Sequence, residues 1–134
     1  MFGLFENKKE KSEKLIKKGI AAMAAGSFTS AESCFLKAIE LDIFNATDAW
    51  IGLGSLYLST ASNDKAKSCF ETAVDQRRDD FHAIRGLALA EKALGHDEAS
   101  IKCFKQLVDK FDYKPDDDPI IKPADRNWLA SYGI

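Results

Sequence analysis

Hydrophobic residues recur every three or four positions through most of the chain, which is the spacing that places them on one face of an α-helix. The pattern predicts six helices, arranged as three pairs with a short turn inside each pair. The helices are predicted over residues 12–25, 29–42, 47–60, 64–76, 82–94 and 97–111. The turns are Gly26-Ser27, Ser62-Asn63-Asp64 and Gly95-His96-Asp97, and we expect their Ser, Asn or Asp residues to cap the second helix of each pair. Turns this short make each pair an antiparallel hairpin.

A dipeptide repeats with the hairpins. Cys34-Phe35, Cys69-Phe70 and Cys103-Phe104 are spaced 35 and then 34 residues apart. Such a period predicts a stack of similar hairpins, because a single pair of short helices cannot bury its apolar side alone. The aligned columns hold Leu15, Trp50 and Ile84; Gly19, Gly54 and Ala88; Ala31, Ala66 and Ser100; and Ala38, Ala73 and Leu107.

The middle unit carries a recognisable motif. Trp50-x2-Leu53-Gly54-x2-Tyr57 is followed by Ala66-x3-Phe70-x2-Ala73, and this pattern resembles the tetratricopeptide repeat (TPR). The resemblance implies an all-α fold, a right-handed superhelix (α-solenoid) of three helix-turn-helix hairpins over 12–46, 47–80 and 81–114. The flanking units depart from the motif, with Lys18 and Ala22 in the first and Glu91 in the Tyr57 column of the third. The register of the third unit could also shift by one residue.

The ends of such a stack need covers. Residues 1–11 are expected to form an N-terminal extension, and residues 115–134 an acidic linker followed by a short capping helix. In that helix Trp128, Leu129 and Tyr132 share one side, which we expect to shield the third hairpin. The linker with Asp116, Asp117 and Asp118 is expected to be solvated.

The face of each first helix that points away from the second helix of its hairpin is the candidate binding surface. In the middle unit, Ile51, Ser55, Leu58 and Ser59 lie opposite the motif residues, and TPR geometry implies that this face lines the concave groove. The apolar members would bury a partner's side chains, the serines would offer hydrogen bonds, and two basic residues would orient the ligand. The predicted groove comprises Ile16, Ile20, Met23, Ile51, Ser55, Leu58, Ser59, Arg85, Leu89 and Lys92.

Composition narrows the classes of function. Nineteen basic and 21 acidic residues give a net charge of −2, so nucleic acid is not an expected partner. Three cysteines, one per hairpin, and two histidines match no nucleophile or metal pattern. We therefore predict no catalytic residue, no metal and no cofactor. The odd cysteine number and the lack of a long apolar run favour the cytoplasm.

These observations favour a protein-binding adaptor or peptide-binding chaperone. One branch of the TPR family grips a chaperone's C-terminal carboxylate, but the matching positions here, Ile16, Ile20, Gly52, His82 and Gly86, lack the basic and amide side chains needed. The alternative is a self-associating scaffold, for example a homodimer, that uses the same apolar surface. In a third hypothesis the chain's own segment 119–123 occupies the groove. Docking of Phe2, Leu4 and Phe5 on a membrane surface is disfavoured, because acidic residues alternate with the lysines that follow.

Overall fold

Six helices lie where the hydrophobic pattern predicts them, and a shorter one follows. The computed structural model describes residues 7–134, so the hypothesis about Phe2, Leu4 and Phe5 lies outside the described part of the chain. The helices are α1 (Lys8–Ala24), α2 (Phe28–Leu41), α3 (Thr47–Ser59), α4 (Asn63–Gln76), α5 (Phe81–Ala93), α6 (Asp97–Phe111) and α7 (Pro123–Ala130). Over these residues no helix is both long and apolar enough to cross a membrane.

The helices pack as a stack of hairpins. Helices α1 and α2, α3 and α4, and α5 and α6 pair with each other, and each second helix also packs against the first helix of the next pair. The first helices, α1, α3 and α5, contact one another along one side. The predicted all-α solenoid is therefore confirmed, and the first helices lie next to one another on one side of it.

The three turns inside the hairpins share one backbone geometry. Gly26, Ala61 and Gly95 all adopt a positive φ, and the next residue donates its N–H to the carbonyl five positions earlier, at 2.8 to 2.9 Å. This is the Schellman ending of a helix. The expected side-chain caps are wrong: Ser27 and Ser62 stand at the N-caps of α2 and α4, but their side chains make no capping hydrogen bond. The hydrogen bonds of each turn instead satisfy carbonyls at the end of the first helix.

Two phenylalanine rings hold the stack together. Each ring lies between a glycine of its own hairpin and a glycine of the next one, so that a Cβ added at any of these glycines would come within 2.1 to 2.8 Å of the ring. The absence of a side chain at these positions lets neighbouring helices approach the ring closely. The glycine pairs are Gly19 and Gly52 around Phe35, and Gly54 and Gly86 around Phe70.

The C-terminal segment covers the third hairpin. Leu129 of α7 and Ile121 of the preceding linker are buried in one cluster with Phe104 and Leu107 of α6. Of the side chains expected to shield the hairpin, Leu129 is fully buried, whereas Tyr132 is exposed and packs on Trp128. The C-terminal end of the stack is thus closed by the chain itself.

The linker is not the solvated segment that its composition suggested. Asp116 and Asp117 are exposed as expected. Asp118 is only 6% exposed, and Tyr113 is also buried. The expectation is wrong for Asp118 because this carboxylate has a partner in α5, which offsets the cost of removing a charge from water.

Candidate binding groove

A pocket of about 240 Å³ opens between α3 and α5. Its walls include the apolar side chains of Ile51, Leu58 and Leu89, all of them half-buried, and Phe70 forms part of the lining. Six of the ten predicted groove residues contribute to this pocket. They are Ile51, Ser55, Leu58, Ser59, Arg85 and Leu89.

The two serines present oxygen lone pairs to the pocket. The hydroxyl of Ser55 donates to the carbonyl of Ile51 at 2.9 Å, and that of Ser59 donates to the carbonyl of Ser55 at 3.0 Å. A hydroxyl has one proton to donate and two lone pairs. Both groups are therefore available as acceptors, which suits a ligand N–H better than a ligand carbonyl.

Arg85 is engaged within the chain. Its Nε donates to Asp118 Oδ2 at 2.6 Å, and its second terminal nitrogen donates to Asp118 Oδ1, in a bidentate pair. Tyr113 donates its hydroxyl to Asp118 Oδ2 at 2.8 Å, and the backbone N–H of Ile120 donates to Oδ1 at 3.2 Å. Arg85 thus does not present the free charge expected of a residue that orients a ligand.

These contacts also shift the acidity of the groups involved. Burial alone would raise the pKa of Asp118, but the hydrogen bonds from Arg85, Tyr113 and the Ile120 backbone outweigh it and lower that pKa. The pKa of Arg85 is raised, chiefly by its hydrogen bonds to Asp118. Both groups are therefore charged at neutral pH, and their charges cancel.

Lys92 also turns towards the C-terminal segment. Its Nζ lies 3.7 Å from the centre of the Trp128 ring, a cation–π contact, and 3.5 Å from Asp97 Oδ1. It does not line the pocket. The expectation that Arg85 and Lys92 would together steer a ligand therefore differs from the structure, because each side chain is held by another part of the chain.

The predicted residues of the first unit lie away from the pocket. Ile16 and Met23 are half-buried and pack against the core of the first two hairpins, and Ile16 lines a separate cavity with Asp48 and Arg77. Ile20 is 56% exposed. The structure therefore centres the candidate groove on the second and third units.

Four further residues line the pocket and were not among the predicted groove residues; one is His82, which the sequence analysis compared with the carboxylate clamp. Phe70 was assigned to the repeat motif, Gly86 to a position compared with the carboxylate clamp, and Ile120 to the linker. The tight contact between Gly86 and Phe70 explains the first two, because the missing side chain lets α5 approach the ring so closely that both residues reach the pocket wall. Ile120 carries no periodic signal, since it follows a proline outside any helix.

Two positions that correspond to the carboxylate clamp, Gly52 and Gly86, are closely packed against phenylalanine rings. A Cβ at Gly52 would lie 2.4 Å from the Phe35 ring and one at Gly86 would lie 2.1 Å from the Phe70 ring. As the rings are placed, neither position has room for a longer side chain. This packing gives a steric reason for the missing clamp side chains.

The thiols of Cys69 and Cys103 are poor nucleophiles. Burial raises the pKa of Cys69 to about 11, and mainly burial raises that of Cys103 to about 11, so both stay protonated at neutral pH. Within residues 7–134 no three His, Cys, Asp or Glu side chains are grouped in a way that could hold a metal ion.

A wider cavity lies at the other end of the stack. It measures about 750 Å³ and is formed by α1 and the end of α2. Leu15 and Leu41 provide apolar walls, and four lysines surround them. This surface differs from the groove between α3 and α5 in being strongly basic.

Comparison with known proteins agrees with this fold. Residues 47–80 match the family model described as tetratricopeptide repeat, while no curated protein matches the sequence. The first TPR domain of human RPAP3 is similar in structure, at 20% identity over 92% of this chain and 90% of that one, with a TM-score of 0.76.

Two further structures of this fold contain a partner. The first TPR of Spaghetti (RPAP3) bound to the HSP90 peptide SRMEEVD is 20% identical over 92% of this chain and 91% of that one, with a TM-score of 0.78. The CopN–Scc3 complex is 14% identical over 90% of this chain and 68% of the matched chain, with a TM-score of 0.68. Residues 47–80 therefore match a tetratricopeptide repeat, and the stack as a whole has the fold of tetratricopeptide-repeat domains.

Proposed function

We propose that the protein is a non-enzymatic adaptor or peptide-binding chaperone that holds an apolar segment of another protein in the groove between α3 and α5. One observation carries the proposal: side chains from two separate helices, Ile51, Leu58 and Leu89, converge on a single open pocket. Small pockets with apolar walls and a few polar groups are typical sites for an anchoring side chain.

Relatives of the same fold support a protein partner. The Spaghetti TPR is seen with a bound peptide, and another matched structure is a complex of two proteins. The peptide in the first case is acidic. The neutral pair of Arg85 and Asp118 here favours a different ligand, one anchored by an apolar side chain.

The size of the pocket limits the affinity. Complete burial of an aliphatic side chain contributes roughly 1.5–3 kcal/mol, and Ile51, Leu58 and Leu89 are already half-buried. Each can therefore add only about 1 kcal/mol on binding, together with a similar gain from the ligand's own anchor. These contacts sum to about 4 kcal/mol, which corresponds to millimolar affinity, so a ligand of micromolar affinity must make further contacts outside the pocket.

Selection from a random peptide library displayed on phage tests the proposal. The wild-type protein should enrich peptides that share a bulky apolar residue. Ile51→Asp and Leu58→Asp should each lower the affinity for the selected peptides at least about tenfold, because a carboxylate would line the anchor site. Phe44→Asp is the matched control, since Phe44 is 85% exposed and lies outside the pocket. Circular dichroism verifies that each variant is folded. Unchanged peptide affinity in both folded groove variants would refute the proposal.

Self-association is the second candidate function. Ile43 and Phe44 form an exposed apolar pair on the turn between α2 and α3, and such residues often mark a contact surface. Light scattering over a range of concentrations separates the two functions. A tight dimer that Phe44→Asp or Ile51→Asp dissociates would favour the scaffold, whereas a monomer at all concentrations would exclude it.

A further inference from the structure

Two residues from outside the repeats shape the groove. Ile120 lines the pocket beside Ile51, Leu58 and Leu89, and Asp118 pairs with Arg85, which also lines it. Both come from the linker between α6 and α7. The linker therefore contributes an apolar side chain to the pocket and an opposite charge to its basic residue.

The position of Asp118 removes the attraction that Arg85 would exert on an acidic ligand. Two guanidinium nitrogens already donate to this carboxylate, which also accepts hydrogen bonds from Tyr113 and from the backbone of Ile120. An acidic side chain entering the pocket would meet a neutral ion pair. Its carboxylate would lose water on entering the pocket without gaining a free positive charge in return, which is unfavourable.

The linker is anchored on both sides of Ile120. Ile121 is 2% exposed and lies in the core of the third hairpin, and Tyr113 is buried in the same cluster. Arg126 of α7 donates to the carbonyl of Asp118 at 3.3 Å. Ile120 itself is 51% exposed. This arrangement fits a permanent wall of the groove better than an occupant that a ligand displaces.

We propose that Asp118 and Ile120 are specificity-determining residues of the groove, which make it select an uncharged apolar anchor and reject an acidic one. The inference rests on the proposed function, because it concerns the ligand of the same pocket. Asp118 acts by neutralising Arg85. Ile120 acts by contacting the anchor, as an additional apolar wall.

The test uses the phage-displayed library and the full chain. Peptides enriched by the wild type are resynthesised with and without a Glu next to the apolar anchor, and affinities are measured at low salt, about 50 mM, where charge effects are least screened. The added Glu should weaken binding to the wild type and strengthen binding to Asp118→Asn, a reversal of about tenfold in the affinity ratio. The amide keeps the shape of the carboxylate without its charge.

Ile120→Ala provides a test that does not depend on the ion pair. Because the side chain is half-exposed, its truncation should leave the fold intact. It should lower the affinity for the peptides without the added Glu about tenfold. Phe44→Ala truncates a more exposed apolar side chain outside the pocket and should leave the peptide affinity unchanged. Circular dichroism and thermal melting establish that Asp118→Asn is folded before its affinities are compared.

The outcomes separate the two proposals. If the wild type enriches no peptide, the proposed function falls and the inference falls with it. If peptides bind the wild type but the effect of the added Glu is the same in Asp118→Asn, or Ile120→Ala binds as tightly as the wild type, the inference is wrong while the proposed function stands. Tighter binding of the unmodified peptides to Ile120→Ala would also overturn it, since the linker would then be a competing occupant.

Discussion

Gly86→Ala should destabilise the protein, although alanine is the better helix former. Gly86 lies within α5, and an added Cβ would come within 2.1, 2.4 and 2.4 Å of three atoms of the Phe70 ring. Carbon atoms in contact are ordinarily about 3.5–4.0 Å apart. The ring or the helix would therefore have to move by more than about 1 Å.

The expected loss follows from two opposing effects. Overpacking a well-packed site typically costs about 1–3 kcal/mol, and the overlap at Gly86 places it towards the upper end of that range. Replacing glycine by alanine inside a helix returns about 1 kcal/mol. The free energy of unfolding should fall by about 1–2 kcal/mol. At Gly19 and Gly54, where the nearest ring atom lies at 2.8 Å, the two effects should nearly cancel.

Urea unfolding followed by circular dichroism measures these differences. The expected order of destabilisation is Gly86→Ala, then Gly52→Ala, whose Cβ would lie 2.4 Å from Phe35, then the other two. Phe70→Leu should cost less in the Gly86→Ala background than in the wild type, because the clash disappears with the ring. If Gly86→Ala is about 1 kcal/mol more stable than the wild type, as helix propensity alone would give, the packing described here is wrong.

Two further predictions concern single positions. Ala61→Gly should raise the free energy of unfolding by about 0.5–1 kcal/mol in the same urea assay, since Ala61 has a φ of 60° where the equivalent Gly26 and Gly95 carry no Cβ penalty; equal or lower stability would show that the turn is relaxed with alanine. The lowered pKa of Asp118 implies a contribution to stability that is present above its ordinary value of 3.8 and lost as the pH falls through the lowered value. The free energy of unfolding of Asp118→Asn should therefore fall less than that of the wild type between pH 5 and about pH 2. Parallel pH dependences of the two proteins would contradict the assignment.

The repeats could be predicted well because their signals are local. The three and four residue spacing and the Cys-Phe period identify six helices and their order. The environment of Glu91 could not be predicted from these patterns. Glu91 stands in the column that holds Tyr57 in the middle unit and is buried, which the sequence alone does not explain. Lys67 of α4 lies 3.0 Å from one of its oxygens and His96 3.3 Å from the other, contacts that no helical period reveals.

The helical faces that line the candidate groove could be predicted, but the contribution of the linker could not. Ile51 and Leu58 follow from the helical face of a unit that matches the motif. The pairing of Arg85 with Asp118 joins residues 33 positions apart, one of them in a non-helical linker without periodicity. Composition pointed to a solvated acidic run there, because the hydrogen bonds that make burial of one carboxylate favourable depend on the finished tertiary structure.

The sandwiched rings determine how a longer stack could arise by duplication. Helix α3 presents Gly52 to the ring of the hairpin before it and Gly54 to the ring of its own hairpin. An inserted copy of residues 47–80 would bring both glycines and one ring, and so could join the array at either junction without redesign. Copying the third unit instead would place Ala88 against the ring of its own hairpin and Gly86 against the preceding one. The middle unit is therefore the natural template for engineered elongation.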